Sequence, residues 1–222
     1  IPGKNFGVFT IAESTSELYN DHGWIASSRD DNGFIIHPKK GDKRWYPHIK
    51  NNTGDGTNGA TKSFNDITIP HLYGFAFCQN DITSFLHVIS DGEDEIGGEE
   101  AYGARDNNGI IDIQLGQDRS DRWGDGKLAE HFIYNEALGN AHINIIRNYL
   151  GAKYQIDLGS NDMYLHDDIY RFNLGGIGRE NQFDFHQDAQ GTGIVRINNP
   201  TSLDNGDYFM WADNNESHSN WI

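Results

Sequence analysis

Residues Trp123 to Tyr154, WGDGKLAEHFIYNEALGNAHINIIRNYLGAKY, constrain the fold more than any other stretch of the chain. They read as a strand, a polar turn and an amphipathic helix in immediate succession. Leu128 to Asn135 supplies the strand, with Leu128, Phe132 and Tyr134 on one face and Ala129 and Ile133 on the other. Asn140 is placed to cap the helix, since its side-chain oxygen can accept from the first unpaired backbone N–H groups. Behind it Ile143, Ile146, Leu150 and Tyr154 form one apolar stripe, widened by Ile145 and Tyr149. A helix this apolar must dock, and the sequence around it is strand-like. The expectation is an all-β sandwich carrying a single amphipathic helix.

Length and composition agree. At 222 residues the chain suffices for one large β domain, or a domain with a smaller companion. Its 26 Gly, 12 Phe, 10 Tyr and 5 Trp, without long apolar runs, fit short strands joined by tight turns. A formal net charge of −16 disfavours nucleic acid and anionic membrane as partners, because both require Lys and Arg to neutralise phosphate. No apolar run reaches 18 residues, so no membrane-inserted helix is expected. Cys78 is the only cysteine, which excludes an intrachain disulfide, and its apolar neighbours predict a buried, inert thiol. The chain begins Ile-Pro-Gly, and we read it as a mature or excised part of something longer.

Along the chain, Phe6–Ala12 alternates as a strand covered on both faces. Gly23–Ser28 and Gly33–His37 predict a hairpin turning at Asp30-Asp31-Asn32-Gly33. Trp45–Ile49 is a strand at an edge, or broken at Pro47, since proline cannot donate to a ladder. Asn51–Thr61 is a polar loop. His71–Cys78 and Thr83–Ser90 are strands, and Gly109–Leu115 is a one-sided strand. Asp91–Glu100 reads as a turn with six crowded carboxylates. Beyond Tyr154, short strands at Phe172–Arg179, Gly193–Ile197 and Tyr208–Trp211 sit among Gly, Asn and Asp. The expected organisation is therefore 1–156 and 157–222, with the boundary near Gln155 to Leu158.

The order DGKLAE-x-x-IYN-x-x-L, then a helix ending NYL-x-AKY, resembles the C-terminal part of a laminin-G-like domain. Such domains belong to the concanavalin A-like lectin/glucanase superfamily, and the likeness is to versions in secreted, surface-attached proteins of Bacteroidetes. GWIASSRDDNGFIIHP extends it, so that residues 6–156 are covered. GGIGR, GTGIVRI and DYFMWADNN resemble the β-rich module that follows such domains. The resemblance implies a jelly-roll fold, export by the type IX route, and a place on the cell's outer surface. The parent protein's secretion machinery is then a partner. These domains usually carry further strands before the point where this chain begins, and the second module normally continues past Trp221.

Three kinds of chemistry follow. Retaining glucanases of this superfamily carry Glu-x-Asp-x-x-Glu, because alternate strand residues share a face and the two carboxyls must sit about 5–5.5 Å apart. Glu93-Asp94-Glu95-Ile96-Gly97-Gly98-Glu99 lacks the middle Asp, so we expect no enzyme. Related folds hold Ca²⁺ at the sandwich rim, and Asp118, Asp121 and Asp125 form the candidate loop, although without EF-hand spacing. Asp91, Glu93 and Asp94, and Asp204, Asp207 and Asp213, are alternatives. His186 reads as a partly buried structural histidine. A sugar site needs an exposed aromatic ring with polar groups around it. Trp24, Trp45, Tyr46, Trp123 and Trp211 qualify by type, and Trp45-Tyr46, beside a polar loop and a proline, is the expected platform. The functional expectation is a non-catalytic adhesin-type surface module, with a carbohydrate-binding lectin domain as the alternative and a glycosidase a distant third. The ligand would be a glycan or another cell-surface group.

Overall fold

The computed structural model describes residues 5–15, 26–27, 33–38, 43–50, 56–58, 64–79, 83–101, 113–119 and 122–215. The chain divides into two compact units, Ile1–Ala137 and Leu138–Ile222.

The strands of the first unit are β1 (Asn5–Ser14), β2 (Ala26–Ser27), β3 (Phe34–Pro38), β4 (Trp45–Lys50), β5 (Gly56–Asn58), β6 (His71–Gln79), β7 (Thr83–Ser90), β8 (Glu93–Ala101), β9 (Gln114–Leu115), β10 (Gln117–Arg119), β11 (Arg122–Trp123) and β12 (Gly126–Tyr134). Ten of them form two five-stranded antiparallel sheets, ordered β12-β1-β6-β7-β8 and β5-β4-β3-β2-β9. The core lies between them, where Phe6, Val8, Phe75 and Phe77 of one sheet meet Phe34, Ile36, Trp45 and Ile49 of the other. This is an all-β jelly-roll sandwich.

Three local readings change. Pro47 lies inside an inner strand rather than on an edge. It pairs with Ile36 on β3, and β5 reaches only as far as His48, so no ladder bond on that side needs its missing N–H. The carboxylate-rich Glu93–Ala101 is a strand, not a turn, and forms the outer strand of its sheet. Exposed Glu93 and Asp94 put charge on an edge that would otherwise invite pairing with another chain. Cys78 is exposed, because it points to the face of β6 opposite the core residues Phe75 and Phe77.

In the second unit, α1 (Asn140–Tyr154) packs on β13 (Phe172–Asn181) and β14 (Asp184–His186). β15 (Asp188–Gly191) and β16 (Val195–Asn198) form a hairpin, and β17 (Tyr208–Asp213) flanks β13 in a sheet ordered β14-β13-β17. The helix thus belongs to the second compact unit, which begins at Leu138. Ile145 covers Gly176 of β13, and Ala152 joins Tyr164 and Leu174 in a small core.

The helix is capped from a distance. Gly139, not Asn140, occupies the N-cap position and makes no side-chain cap. Asn140 N–H donates to Asp184 Oδ2 at 2.8 Å and Ala141 N–H to Asp184 Oδ1 at 3.1 Å. A carboxylate there satisfies two orphan donors and complements the positive end of the helix dipole. A Cβ on residue 139 would lie 2.3 Å from Asp184 Oδ1, so glycine leaves room for the cap.

Buried Asn148 fastens the following segment to the helix. Its Nδ2 donates to the carbonyls of Asn144 (2.9 Å) and Asn161 (3.0 Å), and its Oδ1 accepts from the N–H groups of Met163 (2.7 Å) and Tyr164 (3.1 Å). Asn148→Ala removes a partner from four backbone groups, at Asn144, Asn161, Met163 and Tyr164. We expect a loss of about 2 kcal/mol, read as a lowered urea midpoint with unchanged slope.

Candidate functional site

Within the second unit, an open cleft of about 320 Å³ is lined by Tyr164, His166, Tyr170, Met210, Trp211 and Ala212. Two segments build it. The first is the turn after Asn161, where Ile169 N–H (3.3 Å) and Tyr170 N–H (2.9 Å) both donate to His166 O and bring Tyr170 back towards Tyr164. Tyr164 is buried and anchored by Asn148, whereas Tyr170 is 46% exposed. The rings of Tyr164 and His166 meet edge to face at 6.2 Å.

The second segment is β17, the outer strand of its sheet among the described residues. Met210 and Ala212 face the helix side, where they pack on the small core. Trp211 faces the other way with Phe209, their rings 5.8 Å apart. Two glycines seat Trp211. A Cβ on Gly191 would lie 2.7 Å from Trp211 Nε1 and 2.6 Å from Gly175 N, so both backbones close under the indole. Trp211 Nε1 is buried there without a hydrogen-bond partner among the described residues. The indole thus packs on the sheet face opposite Met210 and Ala212, and Trp211 lines the cleft as part of the outer strand.

The surroundings are anionic. Burial pushes the Tyr164 phenol above its ordinary pKa, and Asp167, Tyr170 and Asp213 add to the rise. Asp162 is likewise raised, first by burial and then by Asp167 and Asp157, against the lowering effect of the Tyr164 N–H it accepts. Asp213 is buried beside Ala212, accepting from Asn173 Nδ2 at 3.1 Å and from Asn215 N–H at 2.9 Å.

The residues expected from sequence fall elsewhere. Trp45 is not a platform: it is 1% exposed and packs on Tyr73 with ring centroids 3.9 Å apart. Tyr46, the next residue, points outward, half-buried and stacked on His37 at 5.8 Å. Asp125 is exposed, with its carboxylate accepting from the Thr15 hydroxyl and its carbonyl from Thr15 N–H at 3.0 Å. Asp118 lies on β10 with its side chain outside the described residues, where Asp121 and Trp24 also fall, as does the side chain of Trp123. Asp91 serves structure, bonding His71 Nδ1 at 2.7 Å and Leu72 N–H at 2.8 Å. Asp204 and Asp207 close a turn through Asp204 N–H and Asp207 Oδ2 at 2.9 Å. No group of three or more His, Cys, Asp or Glu side chains converges among the described residues. His186 is half-buried, edge to face with His142 at 4.9 Å. Sequence reasoning names Trp211 but not its neighbours, which come from segments some forty residues apart.

No family model and no curated protein matches the sequence. Solved structures do resemble it. The binding domain of botulinum neurotoxin serotype D is 11% identical, with 90% of this chain and 49% of that one covered at a TM-score of 0.52. The receptor-binding domain of botulinum neurotoxin type G is 7% identical, covering 80% and 44%, at 0.51. A Ruminococcus gnavus sialidase CBM40 bound to α2,3-sialyllactose is 14% identical, covering 64% and 80%, at 0.49. This chain spans about half the length of the toxin binding domains. At such identities the likeness is one of fold alone, a β-rich sandwich.

Proposed function

We propose that the chain is a non-catalytic extracellular module of a large secreted bacterial protein, of adhesin type, whose ligand is a glycan bound at the aromatic cleft. The cleft carries this reading. The exposed rings of His166 and Tyr170 can meet the C–H surface of a sugar, and the nearby carboxylates can accept from its hydroxyls. Similarity in fold to the binding domains of botulinum neurotoxins supports a binding module. The laminin-G-like resemblance supports the outer surface as its location.

A broad glycan array followed by calorimetry tests the proposal. Tyr170→Ala is expected to weaken the best ligand at least about tenfold, about 1.4 kcal/mol. Tyr170 is a safe substitution, being half exposed at a turn. Tyr46→Ala should leave binding unchanged; a loss confined to that variant would move the site to the sandwich. Silence of the intact chain across the array would sink the glycan reading in favour of adhesion through protein contacts.

A further inference from the structure

The charges of the second unit narrow the ligand class. Residues 138–222 hold eleven Asp and Glu against five Lys and Arg. None of the five is among the residues that line the cleft. Arg147 is buried within α1. Lys153 lies over the rings of Tyr149 and Tyr154, at 5.3 and 5.6 Å, and bonds the Tyr149 hydroxyl at 3.0 Å. Arg171 lies over the Phe172 ring at 5.4 Å. Arg179 donates to Leu203 O at 3.2 Å, and Arg196 pairs with Asp188 through Nε at 2.7 Å. The cleft lining holds no Lys or Arg; Asp167 and Asp213 adjoin lining residues in sequence, and so does Arg171, whose guanidinium lies over the Phe172 ring.

Recognition of a sugar carboxylate or sulfate calls for a cation, above all the two-pronged fork of arginine. Without one, a carboxylated ligand would lose its hydration on apolar rings while facing like charges. An uncharged sugar meets neither cost. Resting on the glycan reading above, we propose that the cleft accepts an uncharged sugar end and rejects sugars bearing acid groups. A quaternary ammonium also suits aromatic rings in a negative field. The open shape of the cleft, with rings along two segments rather than closed into a cage, favours the flat face of a sugar.

The test uses the full chain and oligosaccharide pairs that differ only by a terminal sialic or uronic acid, measured by calorimetry at low and high salt. The uncharged member of each pair should bind, with the acidic member at least about tenfold weaker. That gap should narrow at high salt and in Asp167→Asn, which leaves the aromatic lining in place. Equal or tighter binding of the acidic member, lost on Tyr170→Ala, would overturn the selectivity while the glycan reading stood. Choline binding at the same rings, with no sugar bound, would overturn both. So would failure of every sugar in the panel to bind.

Discussion

Truncating Trp45 to alanine is expected to cost about 3–5 kcal/mol, the largest single-residue effect in the sandwich. The indole is 1% exposed and packs against Tyr73, ring centroids 3.9 Å apart and planes tilted by 35°, in the core it shares with Phe34, Ile36 and Ile49. Neighbours in a close-packed interior relax only partly, so the variant loses both the transfer energy of the ring and the contacts around the void. Against a total of about 5–15 kcal/mol for a domain, such a loss brings the fold near its limit. Equilibrium urea unfolding, followed by the near-ultraviolet signal of the aromatic core, measures it. Tyr46→Ala is the internal comparison. Its side chain faces outward on the same strand, so a shift below about 1 kcal/mol is expected. Equal losses from the two substitutions would mean that Trp45 and Tyr46 do not alternate between core and surface.

That alternation was legible in the sequence. Trp45, Pro47 and Ile49 share one face of β4, and Tyr46, His48 and Lys50 share the other, as the pleat requires. Weighting the neighbouring polar loop and the proline above this period made Trp45 look exposed. The helix shows the opposite balance. Its span of Asn140–Tyr154 follows from apolar periodicity, because helical spacing is a local property. Its cap does not, since Asp184 arrives from 44 residues away and no local pattern announces it. The cleft is illegible for the same reason. Trp211 and Tyr170 become neighbours only through the seating of the indole on Gly175 and Gly191 and the anchoring of Tyr164 by Asn148. Carboxylate crowding at Glu93–Glu99 misled in a third way. At the end of a sheet charge is tolerated, as exposed Glu93 and Asp94 show, so a run that looks like a turn can pair as a strand.

Acidification from pH 7 to pH 4 is expected to remove about 3 kcal/mol of stability through one residue, His131. It shares its face of β12 with Ile133, which packs on the core, and its partner in register is the buried Thr10. Both ring nitrogens are buried without a hydrogen-bond partner among the described residues. Burial lowers its pKa from 6.5 to about 4, because the charged ring would sit in the sandwich without solvation. The sign follows from which state binds the proton. Above pH 6.5 the ring is neutral in both states and contributes no slope. Between 6.5 and about 4 the unfolded chain takes up a proton that the folded chain refuses, so stability falls by about 1.4 kcal/mol per pH unit. His186, lowered by burial and by neighbouring His142, acts in the same direction. His71 acts oppositely. Burial disfavours its charge, but Asp91 at 2.7 Å and the Asp66 carbonyl at 2.6 Å raise its pKa overall. Its contribution is therefore full in acid and lost as pH rises through the folded value. His131→Phe separates these terms. The ring keeps similar volume and carries no proton, so the urea midpoint should fall less between pH 7 and pH 4.5 than in the parent. The two proteins should be closest in stability at pH 7. An unchanged pH profile in His131→Phe would show that the histidine ionises within the sandwich, which requires a solvated path or an acid partner beside it.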